Sequence, residues 1–150
     1  MGGDRAVARR PGTDADSKGD ELGYPDDVRY TAEHEWARSE GGLVTIGITG
    51  YATEQLGDIV FVELPEPGRH LEAMKPFGVV EAVKTVSDLF APVAGKVVEV
   101  NGALADNPAL VNQEPYGEGW MIRVRPDDSG SVDKLMSSSD YRRLLEEQQG

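Results

Sequence analysis

The stretch that decides the fold is Gly78-Val79-Val80-Glu81-Ala82-Val83-Lys84-Thr85-Val86-Ser87-Asp88-Leu89-Phe90-Ala91-Pro92-Val93-Ala94-Gly95-Lys96-Val97. A β-rich run, Phe77 to Val83, enters Lys84, and a second, Val86 to Phe90, leaves it. Two extended runs separated by one short polar break read as a hairpin. At its tip a lysine amine stands in water, clear of both strands. Taken alone, any lysine is first of all a solvated surface residue. Here its place between two β-branched runs gives it a second reading, as the functional part of the turn.

Outward from this hairpin the pattern repeats. Leu43 to Thr49 alternates, with Val44, Ile46 and Ile48 on one side. Ile59 to Leu64 is β-branched and aromatic and ends at Pro65, and Gly95 to Val100 and Trp120 to Arg125 follow. Short, regularly spaced strands with turn residues between them predict an all-β sandwich or barrel. Two segments read as helices. Thr49 can cap a short one through Leu56, ended by Gly57. Ser139 or Asp140 can cap a C-terminal one, with Tyr141, Leu144 and Leu145 on the core side. Arg142 and Arg143 near its start and Glu146 and Glu147 near its end oppose the helix dipole, so weak ends are expected.

Residues 28–150 form the expected folded body, and residues 1–27, rich in Gly, Asp and Arg with almost no apolar periodicity, read as a mobile tail. The 150 residues contain no cysteine, which excludes disulfides, thiolate zinc sites and a cysteine nucleophile. Redox chemistry would have to come from a cofactor. The net charge of −12 repels nucleic-acid phosphates and anionic lipid and suits docking on partners of complementary charge. No apolar run approaches bilayer length and the N-terminus has no signal core, so the expected compartment is the cytoplasm. With two histidines, His34 and His70, a metal cluster is not expected. Trp36 and Trp120 read as packing anchors, and Pro115, Gly117 and Gly119 as turn residues.

Glu81-Ala82-Val83-Lys84-Thr85-Val86-Ser87-Asp88 resembles the lipoylation motif of glycine cleavage H-proteins, and Ala91-Pro92 with Gly95 resembles the return strand of lipoyl and biotinyl carriers. Three further segments are similar to H-proteins in the same order: Tyr30-Thr31-Ala32-Glu33-His34-Glu35-Trp36; Val44 to Thr49 running on through Gly57 to Pro65; and Leu110-Val111-Asn112 with Pro115-Tyr116-Gly117 and Gly119-Trp120-Met121. Glu72-Ala73-Met74-Lys75 resembles the biotin attachment signature instead. There Pro76 follows the lysine, a loop-like Pro67-Gly68-Arg69-His70 precedes it, and Pro92 lies 17 residues on, against eight from Lys84. Lys75 therefore reads as a turn residue.

The resemblance implies a flattened hybrid barrel-sandwich and a covalent lipoate joined as an amide to Lys84. It implies a non-catalytic shuttle, a monomer that visits several partners. A pyridoxal-phosphate glycine decarboxylase (P-protein) would load an aminomethyl group, a tetrahydrofolate-dependent aminomethyltransferase (T-protein) would unload it, and dihydrolipoyl dehydrogenase (L-protein) would reoxidise the dithiol. A lipoate ligase or lipoyl transferase would attach the arm. By the same resemblance, Glu35 and Asp88 would hold the loaded arm in a cleft. Glu33 departs from the pattern, where the family has a small polar residue. The competing readings are a biotinyl carrier, an H-like lipoyl donor or acceptor outside glycine breakdown, and an enzyme using its carboxylates as acid and base, for which no pair is placed by motif.

Overall fold

The computed structural model describes residues 24–149. The strands are β1 (Arg29–Tyr30), β2 (Glu35–Glu40), β3 (Leu43–Ile48), β4 (Ile59–Glu63), β5 (His70–Leu71), β6 (Pro76–Ala82), β7 (Val86–Phe90), β8 (Gly95–Val100) and β9 (Ile122–Pro126). They form a six-stranded sheet ordered β1-β2-β3-β9-β8-β5 and a three-stranded sheet ordered β4-β6-β7, with antiparallel pairing throughout. Helix α1 (Gly50–Leu56) follows β3; two short turns, α2 (Ala103–Asp106) and α3 (Leu110–Gln113), precede β9; α4 (Ser138–Gln149) closes the chain. This is the expected barrel-sandwich, with both expected helices.

Alternation along the strands builds the core between the sheets. Val44, Ile46 and Ile48 of β3 and Ile122 and Val124 of β9 face Ile59, Val80, Ala82 and Leu89 of the smaller sheet, all of them buried. A second, aromatic core lies under α4. Trp36, Tyr30 and Tyr141 are wholly buried there, with Tyr30 stacked on Tyr141 at 4.6 Å between centroids. Trp36 lies over Gly47, its cross-strand partner; a Cβ at Gly47 would come within 2.7 Å of the indole. Any larger residue there would push the ring out of the core.

Thr49 caps α1 by accepting the Ala52 N–H at 3.2 Å, and Gly57 ends it at φ 84°, as the sequence predicts. The C-terminal helix begins earlier than expected. Ser137, not Ser139 or Asp140, receives the Asp140 N–H at 3.2 Å, and the helix runs through Gln149. This start places Asp140 in the first turn, where an acid suits the dipole, and Tyr141 and Leu145 are buried as predicted.

Three strands were not read from sequence. Of these β5 is the instructive one, because His70 was expected in a loop yet pairs with Lys96. Two residues are too few for a periodicity signal, and only the neighbouring strand makes them a strand. Tyr24 to Asp27, assigned by sequence to the tail, are held in place. The Tyr24 ring meets Tyr141 edge-on, the Tyr30 hydroxyl donates to the Pro25 carbonyl at 2.6 Å, Ser138 donates to Asp26, and Asp27 pairs with Arg38 at 3.3 Å. The remainder of the expected tail lies outside the described residues.

Candidate functional site

Lys84 sits in the three-residue turn Val83-Lys84-Thr85 that joins β6 to β7, fully out in solvent. The strands pair up to the turn, the last pair being Glu81 with Val86. The Ala82 N–H then donates to the Thr85 carbonyl at 2.8 Å, closing the tip. Glycine is absent from the turn, and no residue in it has a positive φ. Its shape is held by a neighbour instead: the Val83 N–H donates to the Asp58 carbonyl at 3.2 Å.

Asp58 is itself fixed. The Asn112 side-chain amide donates to the Gly57 carbonyl at 2.9 Å, while its oxygen accepts the Ile59 N–H at 2.9 Å. One side chain thus grips the residue on each side of Asp58. In the sequence Asn112 belongs to a segment similar to H-proteins, and no local pattern marks its role. The contact spans 53 and 55 residues and belongs to the tertiary fold.

The two residues expected around the arm take different settings. Asp88 lies on β7, exposed, opposite Val79. Glu35, on β2, is 1% exposed. Its carboxylate accepts the Thr31 hydroxyl at 2.7 Å through Oε1 and the Phe90 N–H at 3.1 Å through Oε2. It therefore straps the larger sheet to the far end of β7. Burial pushes the Glu35 carboxyl up to about 7, against the pull of the Thr31 and Phe90 bonds, with a further upward push from the Glu33 charge. Both residues touch the same strand, one from solvent and one from inside. Glu33, the departure from the family pattern, is exposed and donates its N–H to Thr31 Oγ1 at 3.2 Å.

His34 holds φ 75° and contacts the Tyr141 hydroxyl through Nδ1 at 2.7 Å. The same hydroxyl meets Thr49 Oγ1 at 2.8 Å, so His34 serves the junction of α1 and α4. Burial lowers its pKa. His70 pairs with Asp127 at 2.7 Å. Among the described residues no group of three or more His, Asp or Glu is placed to hold a metal, and no helix is long and apolar enough to cross a membrane. Trp36 is a core anchor that donates its indole N–H to the Pro115 carbonyl at 2.9 Å, and Trp120 is half-buried with the Arg123 guanidinium 4.0 Å above its ring.

Lys75 occupies the turn before β6, at the opposite end of that strand from Lys84. Met74 there holds φ 63°. Its strands do not pair with each other: β5 belongs to the larger sheet and β6 to the smaller. Lys75 is a turn residue, as the sequence predicts.

Comparison with known proteins gives the family and the fold. The family model described as Glycine cleavage H-protein matches residues 28–148. The glycine cleavage system H protein of Bacteroides fragilis is 53% identical over 124 residues, covering 83% of this chain and 98% of the relative. That of Halalkalibacterium halodurans is 56% identical over 124 residues, covering 83% and 97%. A crystal structure of a glycine cleavage system H protein from Mycobacterium marinum superposes with a TM-score of 0.74 at 46% identity, covering 81% of this chain and 98% of that one.

Proposed function

The chain belongs to the glycine cleavage H-protein family, and from that premise we propose that it is the lipoate-bearing shuttle of a glycine cleavage system, with its arm joined to Lys84. The observation that carries the site is the hairpin: Lys84 alone among the candidate lysines stands at the apex of two paired strands. A primary amine at such an apex fits an amide-linked acyl group, since nothing around it has to move to admit one. When bound at Lys84, the lipoyl group would supply a redox-active dithiolane as the carrier of the cargo.

The chain's own part is presentation. The paired strands hold the attachment point away from the body, and amide formation removes the lysine charge. Tethering makes each transfer local, at a raised effective concentration. The partners in this reading are the P-, T- and L-proteins, together with a lipoate ligase or lipoyl transferase. The chain acts as a monomer in the cytoplasm and does no catalysis of its own. Asp88, exposed on β7, is the anion available to an ammonium group carried on the arm. Glu35, 1% exposed and bonded to Thr31 and Phe90, joins it only if the structure over it opens.

Expression with a lipoate ligase and lipoate, followed by intact mass and peptide mapping, tests the reading. One lipoyl group on the Lys84 peptide is expected, absent from Lys84→Arg and retained in Lys75→Arg. A label on Lys75, or none at all, overturns it.

A further inference from the structure

Five large apolar residues are exposed among the described residues, and four of them lie at the Lys84 end of the three-stranded sheet. Val83 (70% exposed) and Val86 (63%) flank it in sequence. Phe61 (48%) joins them across the sheet: Phe61 opposes Glu81, which opposes Val86, so the three lie in one row on the solvent face. Val60 (51%) is the extra residue where the β4–β6 register shifts between Ile59 and Phe61. The next row of the same face is Glu63, Val79 and Asp88. An apolar collar therefore lies at the Lys84 end of this sheet, with Glu63, Glu81 and Asp88 set in and behind it. The chain's own fold leaves these side chains in water.

Reach determines which partner covers them. An unmodified lysine side chain extends about 6 Å from its Cα. An enzyme that acylates the amine must bring its reaction centre to that distance, and its surface then lies against Val83, Thr85, Val86 and Phe61. The loaded arm reaches roughly twice as far or more. Enzymes that work on its far end can stand off from the collar.

Resting on the reading of Lys84 as the attachment site, we infer that the collar of Phe61, Val83 and Val86, with Val60 beside it, is the docking surface for the enzyme that acylates Lys84. That enzyme carries an apolar rim around its reaction centre, with cations outside the rim to meet Glu63, Glu81 and Asp88. The step it performs forms the amide C–N bond from the Lys84 nitrogen lone pair. The bond from the acyl carbon to its activating phosphate breaks, and the phosphate leaves with that electron pair. The ammonium nitrogen gives up two protons in all, and nothing is oxidised or reduced.

The test uses the full chain, free of lipoate, and a variant carrying Phe61→Thr, Val83→Thr and Val86→Thr. Threonine keeps the strand preference and removes the apolar surface. Lipoylation by a lipoate ligase is followed by mass, and binding of the unmodified chain to the ligase by calorimetry. The expected result is a rise in KM and in Kd of about tenfold or more, with kcat little changed. KM for the unaltered chain should also rise with salt. Both chains are then loaded to completion, and reduction of the arm by NADH through dihydrolipoyl dehydrogenase, run in reverse, is expected to differ by less than about twofold between them. Unchanged KM and Kd overturn the inference. So does an equal loss with the dehydrogenase, because the collar would then serve every partner alike. Failure of the unaltered chain to be modified at Lys84 sinks the attachment-site reading itself. A melting curve matching the unaltered chain establishes that the variant folds.

Discussion

Strand β6 has a lysine at each end, and the two ends are built differently. At the Lys84 end the chain turns back into a strand that pairs with β6, and the turn projects from the body. At the Lys75 end it arrives from a strand of the other sheet, and Lys75 lines a shallow cleft of about 310 Å³ with Arg69, His70, Leu71, Glu72 and Pro76. The first turn is held from outside, by the Asp58 carbonyl and the Asn112 side chain behind it. The second is held by backbone pairing with Ala91, just past β7: Met74 N–H to the Ala91 carbonyl at 2.7 Å and Ala91 N–H to the Lys75 carbonyl at 3.0 Å. A lysine next to a turn is common. What makes Lys84 a candidate carrier is that its turn belongs to one paired hairpin, a property of register that the four letters around a lysine do not encode.

The largest expected effect breaks the strap at the base of the hairpin. Glu35 ties the larger sheet to Phe90, whose cross-strand partner is Pro76, next to Lys75. Its folded pKa, about 7, stands above the ordinary carboxyl value of 4.5, so between those values the folded chain binds more protons than the unfolded one. Stability from this group is full below about pH 4.5 and is lost as pH rises through about 7, the reverse of a salt-bridged carboxylate. Over that window the loss is of order 3 kcal/mol. Glu35→Gln should flatten this part of the stability–pH curve, measured by urea unfolding from pH 4.5 to 8, since the amide does not ionise. An unchanged slope would mean that the carboxyl titrates normally and that the strap is open in solution.

A smaller effect sits at the other end. Asn112→Ala removes both bonds that grip Gly57 and Ile59 and leaves a half-buried N–H without its acceptor, at a cost of about 1 to 2 kcal/mol. Hydrogen exchange should speed up at the Val83 amide, which depends on Asp58, and stay unchanged at Met74 and Ala91. Equal loss of protection at both ends would show that β6 opens as one unit, and the contrast drawn between its two turns would fail.

These supports also mark the limit of what the sequence discloses. The strand pattern, the α1 cap at Thr49 and the hairpin around Lys84 were legible because each is signalled by residues close in the chain. Strand β5, the Glu35 strap and the Asn112 grip were not, because each depends on a partner 24 to 55 residues away in the chain. The resemblance around Glu35 drew attention to this residue without saying how it is placed. Its burial could be learned only from where β7 lies. The collar is a third case: Val60, Phe61, Val83 and Val86 are ordinary strand residues by composition, and only their exposure distinguishes them.

The smallest effect carries opposite signs at the two turns. Met74 sits at φ 63°, a conformation that costs an L-residue roughly 1 to 2 kcal/mol, and it is 45% exposed, so its side chain contributes little packing. Met74→Gly relieves that cost, while glycine's greater freedom in the unfolded chain takes back about 0.5 to 1 kcal/mol. The net expected change is a stabilisation of no more than about 1 kcal/mol. Thr85 in the carrier turn has no positive φ, so Thr85→Gly relieves nothing and only adds unfolded-state entropy. It should destabilise by about 0.5 to 1 kcal/mol. Paired melting curves decide the matter: opposite shifts sharpen the distinction between a turn strained into place and a turn supported by its neighbours. A destabilising Met74→Gly would instead show that the Met74 side chain contributes more through its contacts than its backbone gives up in strain.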